Sequence, residues 1–81
     1  MTDERQQLRF LGQAIRSVRD EKTLSVADLA IGADISLERL KALERGELDP
    51  DYELLIRLAE CLDTRPSAFI IRAEDLSRRS G

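Results

Sequence analysis

The sequence predicts an all-α domain of five helices. Three observations carry that expectation. Apolar residues recur at three- and four-residue spacing along nearly the whole chain, and no alternating strand pattern competes. Helix-start residues stand at Ser25, Ser36 and Asp49-Pro50, and Pro66 opens one more element. Gly46 stands where a helix end calls for a left-handed residue.

The elements follow in order. Leu8, Leu11, Ile15 and Val18 mark a first helix from about Asp3 to Glu21. Ser25-Val26-Ala27-Asp28 is a capping box: Ser25 caps backbone N–H groups and Asp28 reaches back. Leu29, Ala30 and Ala33 form the buried stripe of the short second helix. Ser36 caps a third, with Leu40 and Leu43 facing inward. Asp49 as cap and Pro50 as first helical residue start a fourth, which carries Leu54, Leu55, Leu58, Ala59 and Leu62 and stops near Asp63. A short fifth helix holds Phe69, Ile70 and Ile71. The polar stretch from Ser77 onward is expected to fray. The chain thus divides into an extension of helix one (1–10), a compact domain (11–71) and a polar tail (72–81).

Composition removes several functional classes. The chain has 81 residues, close to the size at which a core holds a fold without staples. Cys61 is the only cysteine and there is no histidine, so neither an intrachain disulfide nor an ordinary structural zinc site is available. No metal or cofactor is expected. General acid–base work would fall to carboxylates, Lys22, Lys41 or Tyr52. No phosphate loop or nucleophile motif is present, so no catalytic residue is assigned and an enzyme is not expected. With 42% hydrophobic and 36% charged residues, the chain reads as soluble. No apolar run reaches membrane-span length and the N-terminus is unlike a signal peptide, so a reduced, cytoplasmic setting is expected.

The second and third helices are separated by three or four residues, the spacing of a helix-turn-helix. Count from Val26 as position one of a twenty-residue unit, so that the motif spans about 26–45. Positions four, eight, ten, fifteen and eighteen must be apolar to seal both helices on the core. They are Leu29, Ala33, Ile35, Leu40 and Leu43. Position five must be small and is Ala30. Position nine needs positive φ and is usually glycine; here it is Asp34, which tolerates that region better than most residues.

At this point the chain resembles the phage-repressor and Cro-like (XRE-type) helix-turn-helix family. The residues carrying the resemblance are Leu11-Gly12, Ile15-Arg16, Val18-Arg19, Leu24-Ser25, Asp28-Leu29-Ala30, Leu43-Glu44-Arg45-Gly46, Pro50 and Leu58-Ala59 through Leu62. The resemblance implies a five-helix, lambda-repressor-like DNA-binding domain that dimerises on DNA with its third helix in the major groove. It also implies a structural ion pair between Arg19 and Glu44.

For base reading, the resemblance points to the residues just after Ser36, which are Leu37 and Glu38, and one turn on to Ala42, with Arg39 and Lys41 near the DNA-facing side; Ser36 and Arg45 are counted with them among the DNA-binding residues. Val26 stands where relatives hold a phosphate-contacting glutamine, a task its side chain cannot do. Leu37 can touch a thymine methyl, or it can extend the Leu40–Leu43 stripe onto protein; Glu38 can accept from cytosine N4. Charge partition runs against DNA. Residues 24–63 carry four basic and ten acidic groups, whereas residues 1–23 are net +1 and 64–81 net +2. Glu47, Asp49 and Asp51 would oppose phosphate. Backbone N–H groups at helix starts can still hold it. Sequence-specific binding of double-stranded DNA by a homodimer, as a transcriptional regulator, is the leading expectation. The alternative is the same fold used as a protein-interaction module, with Leu37, Leu48 and Tyr52 forming an apolar surface for a protein partner.

Ala68-Phe69-Ile70-Ile71 supplies more apolar side chains than one helical stripe can bury. Phe69, Ile70 and Ile71 are therefore the candidate dimer seam. Phe69 is expected to turn into the domain, with Arg65 and Arg72 facing Asp63 or Glu60 of the partner. Cys61 is expected to be inert and partly packed.

Overall fold

The computed structural model of the chain describes residues 4–80. Five helices and no strands occur among them: α1 Glu4–Glu21, α2 Val26–Gly32, α3 Leu37–Glu44, α4 Tyr52–Cys61 and α5 Pro66–Ser80. The expected start at Asp3 lies outside the described residues.

Side-chain oxygens start three of the helices. Ser25 Oγ accepts from the Asp28 N–H at 3.0 Å and Ser36 Oγ from the Arg39 N–H at 3.1 Å. Only half of the capping box forms, because the exposed Asp28 carboxylate makes no return bond to the Ser25 N–H. The start of α4 corrects the sequence reading. Asp51, not Asp49, is the cap: its Oδ1 accepts from the Leu54 N–H at 2.8 Å. Pro50 favours extended backbone at Asp49, and the chain stays extended through Asp51 (φ −80°, ψ 170°) before it turns.

Each helix from α1 to α4 ends in the same way. A residue at positive φ follows the last turn: Thr23 (58°), Asp34 (55°), Gly46 (79°) and Asp63 (53°). Beyond each, an N–H reaches back five residues. Leu24 donates to Arg19 O, Ile35 to Ala30 O, Glu47 to Ala42 O and Thr64 to Ala59 O, at 2.9–3.2 Å. These are Schellman caps, which satisfy the last carbonyls and turn the chain sharply. Asp34 takes the positive φ the helix-turn-helix register requires.

The core is the set the periodicity marked. Ile15 and Val18 of α1 meet Leu29, Ala30 and Ala33, then Leu40 and Leu43, then Leu54, Leu55, Leu58, Ala59 and Leu62. Phe69 closes it from α5 and has no exposed surface. α5 departs from expectation in length. It runs fifteen residues, so residues 72–80 are helix rather than a frayed tail. It packs chiefly on α1, antiparallel to it. Arg72 reaches Ser17 and Glu21, while Ser77 and Arg78 share a groove with Glu4 and Gln7. Ala73 and Leu76, both half-buried, continue the packed stripe past the seam residues.

Candidate nucleic-acid interface

α3 is positioned by its C-terminal half. Gly12 of α1 is buried, and a Cβ there would lie 2.5 Å from the Leu43 carbonyl oxygen and 2.7 Å from that of Glu44. The two helices therefore meet backbone to backbone. One turn on, Gly46 lies equally close to α1, with its missing Cβ 2.7 Å from Arg9 Cα.

An ion pair completes the clamp. Arg19 Nε donates to Glu44 Oε2 at 2.7 Å and Arg19 Nη2 to Oε1 at 3.0 Å, a two-pronged contact. Arg19 Nη1 donates to the Leu24 carbonyl at 2.8 Å, so the guanidinium also braces the turn leading into α2. Both side chains are nine-tenths shielded. The hydrogen bonds to Glu44 raise the Arg19 pKa above its ordinary value, against the opposing effect of burial. A guanidinium held this way orients a helix rather than binding a ligand.

The remaining surface of α3 faces solvent. Leu37, Glu38, Arg39, Lys41 and Arg45 are exposed, Ala42 is half-buried, and Leu40 and Leu43 are buried. Leu37 does not join the buried stripe: 37% of it is exposed. The Ser36 hydroxyl is exposed but engaged as the cap of α3. Val26 packs half-buried against the core, which leaves only backbone N–H groups at the start of α2 to face a phosphate.

The three carboxylates that weigh against DNA have separate fates. Glu47 is tied to Arg45, whose Nε and Nη2 lie 3.1 and 3.0 Å from Glu47 Oε1. That pairing, with a smaller contribution from Glu38, draws the Arg45 pKa upward. Asp51 caps α4 at the positive end of the helix dipole. Asp49 lines the groove between α1 and α5 with Glu4, Gln7 and Leu8.

The seam residues also separate. Phe69, included in the candidate dimer interface, belongs wholly to the core and offers nothing to a partner. Ile70 and Ile71 remain 46% and 62% exposed. Arg72, expected at the rim, is spent within the chain: it donates to Ser17 Oγ at 2.6 Å and to Glu21 Oε1 at 2.9 Å. Sequence reading missed that link because nothing in local spacing joins positions 17, 21 and 72. Among the described residues no cluster of His, Cys, Asp and Glu is able to hold a metal ion, and no helix is long and apolar enough to cross a membrane.

A small helix joined to its predecessor by a tight turn and clamped at its end on a shared core is the arrangement of a helix-turn-helix. Residues 15–69 match the helix-turn-helix family. The structure is similar to that of the clp gene regulator ClgR from Corynebacterium glutamicum, at 30% identity and a TM-score of 0.80, covering 89% of this chain and 87% of that one. It is also similar to the restriction-modification controller protein C.AhdI from Aeromonas hydrophila, at 29% identity and a TM-score of 0.75, covering 76% of this chain and 94% of that one. A comparison with curated proteins finds no match. The chain belongs to the phage-repressor and Cro-like (XRE-type) helix-turn-helix family and has its lambda-repressor-like fold. It is accordingly a DNA-binding transcriptional regulator, a class that is not enzymatic.

Proposed function

We propose that the protein binds a specific operator in double-stranded DNA as a homodimer in the cytoplasm, with α3 lying in the major groove. One observation carries the reading. α3 is fixed to the core through Leu40, Leu43 and the Arg19–Glu44 pair, while Glu38, Arg39 and Lys41 are left on an exposed outer face beside Leu37, with Arg45 just beyond it paired to Glu47. In this arrangement Glu38 and Leu37 read base edges, while Lys41 and Arg39 neutralise phosphates and Arg45, paired with Glu47, contributes less. Ser36 and Val26 contribute through backbone N–H groups at the starts of α3 and α2, and Ala42 gives close approach to the groove floor.

A titration of labelled duplex against salt tests it. Affinity should fall steeply as monovalent salt rises from about 50 to 200 mM. Glu38→Ala should relax preference at one base position, while Lys41→Ala should weaken binding to all sequences. Absence of binding to any duplex at low salt would instead favour a protein-interaction role. Tyr52, 69% exposed between Asp51 and Glu53, gives that second reading its support. Leu48 does not, since it packs against the core.

A further inference from the structure

We infer that Arg9, in the part of α1 that precedes the helix-turn-helix family match, is a DNA-backbone contact supplying the α3–α4 turn with positive charge that the turn lacks. The inference rests on the DNA-binding reading above and adds a residue to it.

The placement comes from Gly46. Its φ of +79° and its missing side chain let α1 cross the turn at backbone distance. A Cβ on Gly46 would stand 2.8 Å from Arg9 N and 2.9 Å from Arg9 Cγ, so the Arg9 stem itself runs along the turn. The turn follows directly on the exposed face of α3. Its own residues are poor phosphate ligands. Arg45 is occupied by Glu47, and Asp49 and Asp51 are anionic.

Arg9 differs from two other arginines of α1. Arg19 is locked to Glu44, and Arg16 faces Asp20 at 3.9 Å. Arg9 is exposed, and among the described residues no hydrogen bond or ion pair engages its guanidinium. A free guanidinium on a backbone-anchored stem suits phosphate oxygens, which accept its planar fork. The acidic balance of residues 24–63 therefore misstates the field at the proposed interface, because a cation from position 9 folds onto position 46.

The test uses the full chain and a labelled random-sequence duplex, with wild type, Arg9→Gln, Arg9→Lys and Arg16→Gln compared across a salt series. Arg16, about two turns further along the same helix and facing Asp20, controls for bulk charge. Arg9→Gln should lose roughly fivefold to tenfold in affinity per protomer near 0.1 M salt and flatten the log–log salt slope by about 0.9 per protomer. Base preference and the thermal midpoint should be unchanged. Arg9→Lys should restore most of the slope, which a packing role for the guanidinium would not. Wild-type slope and affinity in Arg9→Gln, or equal losses in Arg16→Gln, would overturn the inference while leaving DNA binding intact. Failure of the wild-type chain to bind any duplex would overturn both.

Discussion

Thr23 holds a φ of 58° at the end of α1, a conformation a β-branched residue adopts only under constraint. The Schellman cap imposes it, and the Thr23 hydroxyl, donating to the Lys22 carbonyl at 2.6 Å, offsets little of the strain. Left-handed backbone costs a non-glycine residue about 1–2 kcal/mol, and glycine's greater freedom in the unfolded chain returns about half of that. Thr23→Gly should therefore stabilise the protein by about 0.5–1 kcal/mol in urea unfolding; a loss of stability would show that the turn selects threonine for another reason. Cys61 gives a second expectation at this scale. Burial first, and Glu60 second, push its thiol above the ordinary range. The stability tied to the neutral thiol is present below the unfolded value, about 8.5, and is lost as pH rises through the higher folded value. Alkylation at neutral pH should run slower in the native protein than in urea, since only the thiolate reacts. Equal rates would mean that the thiol is open.

At the scale of elements, the α1–α3 contact decides where α3 sits. Alanine at position 12 would favour an isolated helix by about 1 kcal/mol. In the folded protein its Cβ would strike two carbonyl oxygens of α3, so Gly12→Ala should instead cost about 1–3 kcal/mol in thermal or urea unfolding. The sign of the change separates the two effects. DNA affinity should fall with it, because the clamp displaced is the one that aims the outer face of α3. The α3–α4 turn carries a separate expectation. Glu47→Gln removes one negative charge and releases Arg45, so binding to random duplex should tighten by roughly 3- to 10-fold at low salt. No change in a fluorescence anisotropy titration would place both side chains away from the duplex.

For the whole molecule, the proposed homodimer turns on α5. One reader of this size covers too little DNA for tight specific binding, and a pair solves this by spacing two recognition helices about 34 Å apart. With Phe69 in the core and Arg72 tied to α1, the available seam narrows to Ile70 and Ile71. Ile71→Asp would place a carboxylate in that seam. It should weaken self-association on the order of a hundredfold or more in sedimentation equilibrium. Operator binding should lose its dimeric character, while the fold stays intact because Ile71 is 62% exposed. A variant that remains a dimer would move the interface to another surface.

The sequence alone determined the helices, their phase and the core. Those depend on local periodicity, on caps such as Ser36 and on the apolar residues of the motif, all readable within a few positions of one another. It placed the start of α4 two residues early, because Asp49-Pro50 and Asp51 are both plausible starts and only the extended path of the chain chose between them. It took α5 to be short because residues 77–80 are polar, although packing on α1 and the Arg72 bonds hold a longer helix. The charge around the proposed interface was the least legible feature. Summing residues 24–63 treats neighbours in sequence as neighbours in space. Tertiary structure pairs Glu47 with Arg45, uses Asp51 to cap α4 and lays Arg9 against Gly46, because Coulomb interactions depend on distance through the fold rather than along the chain.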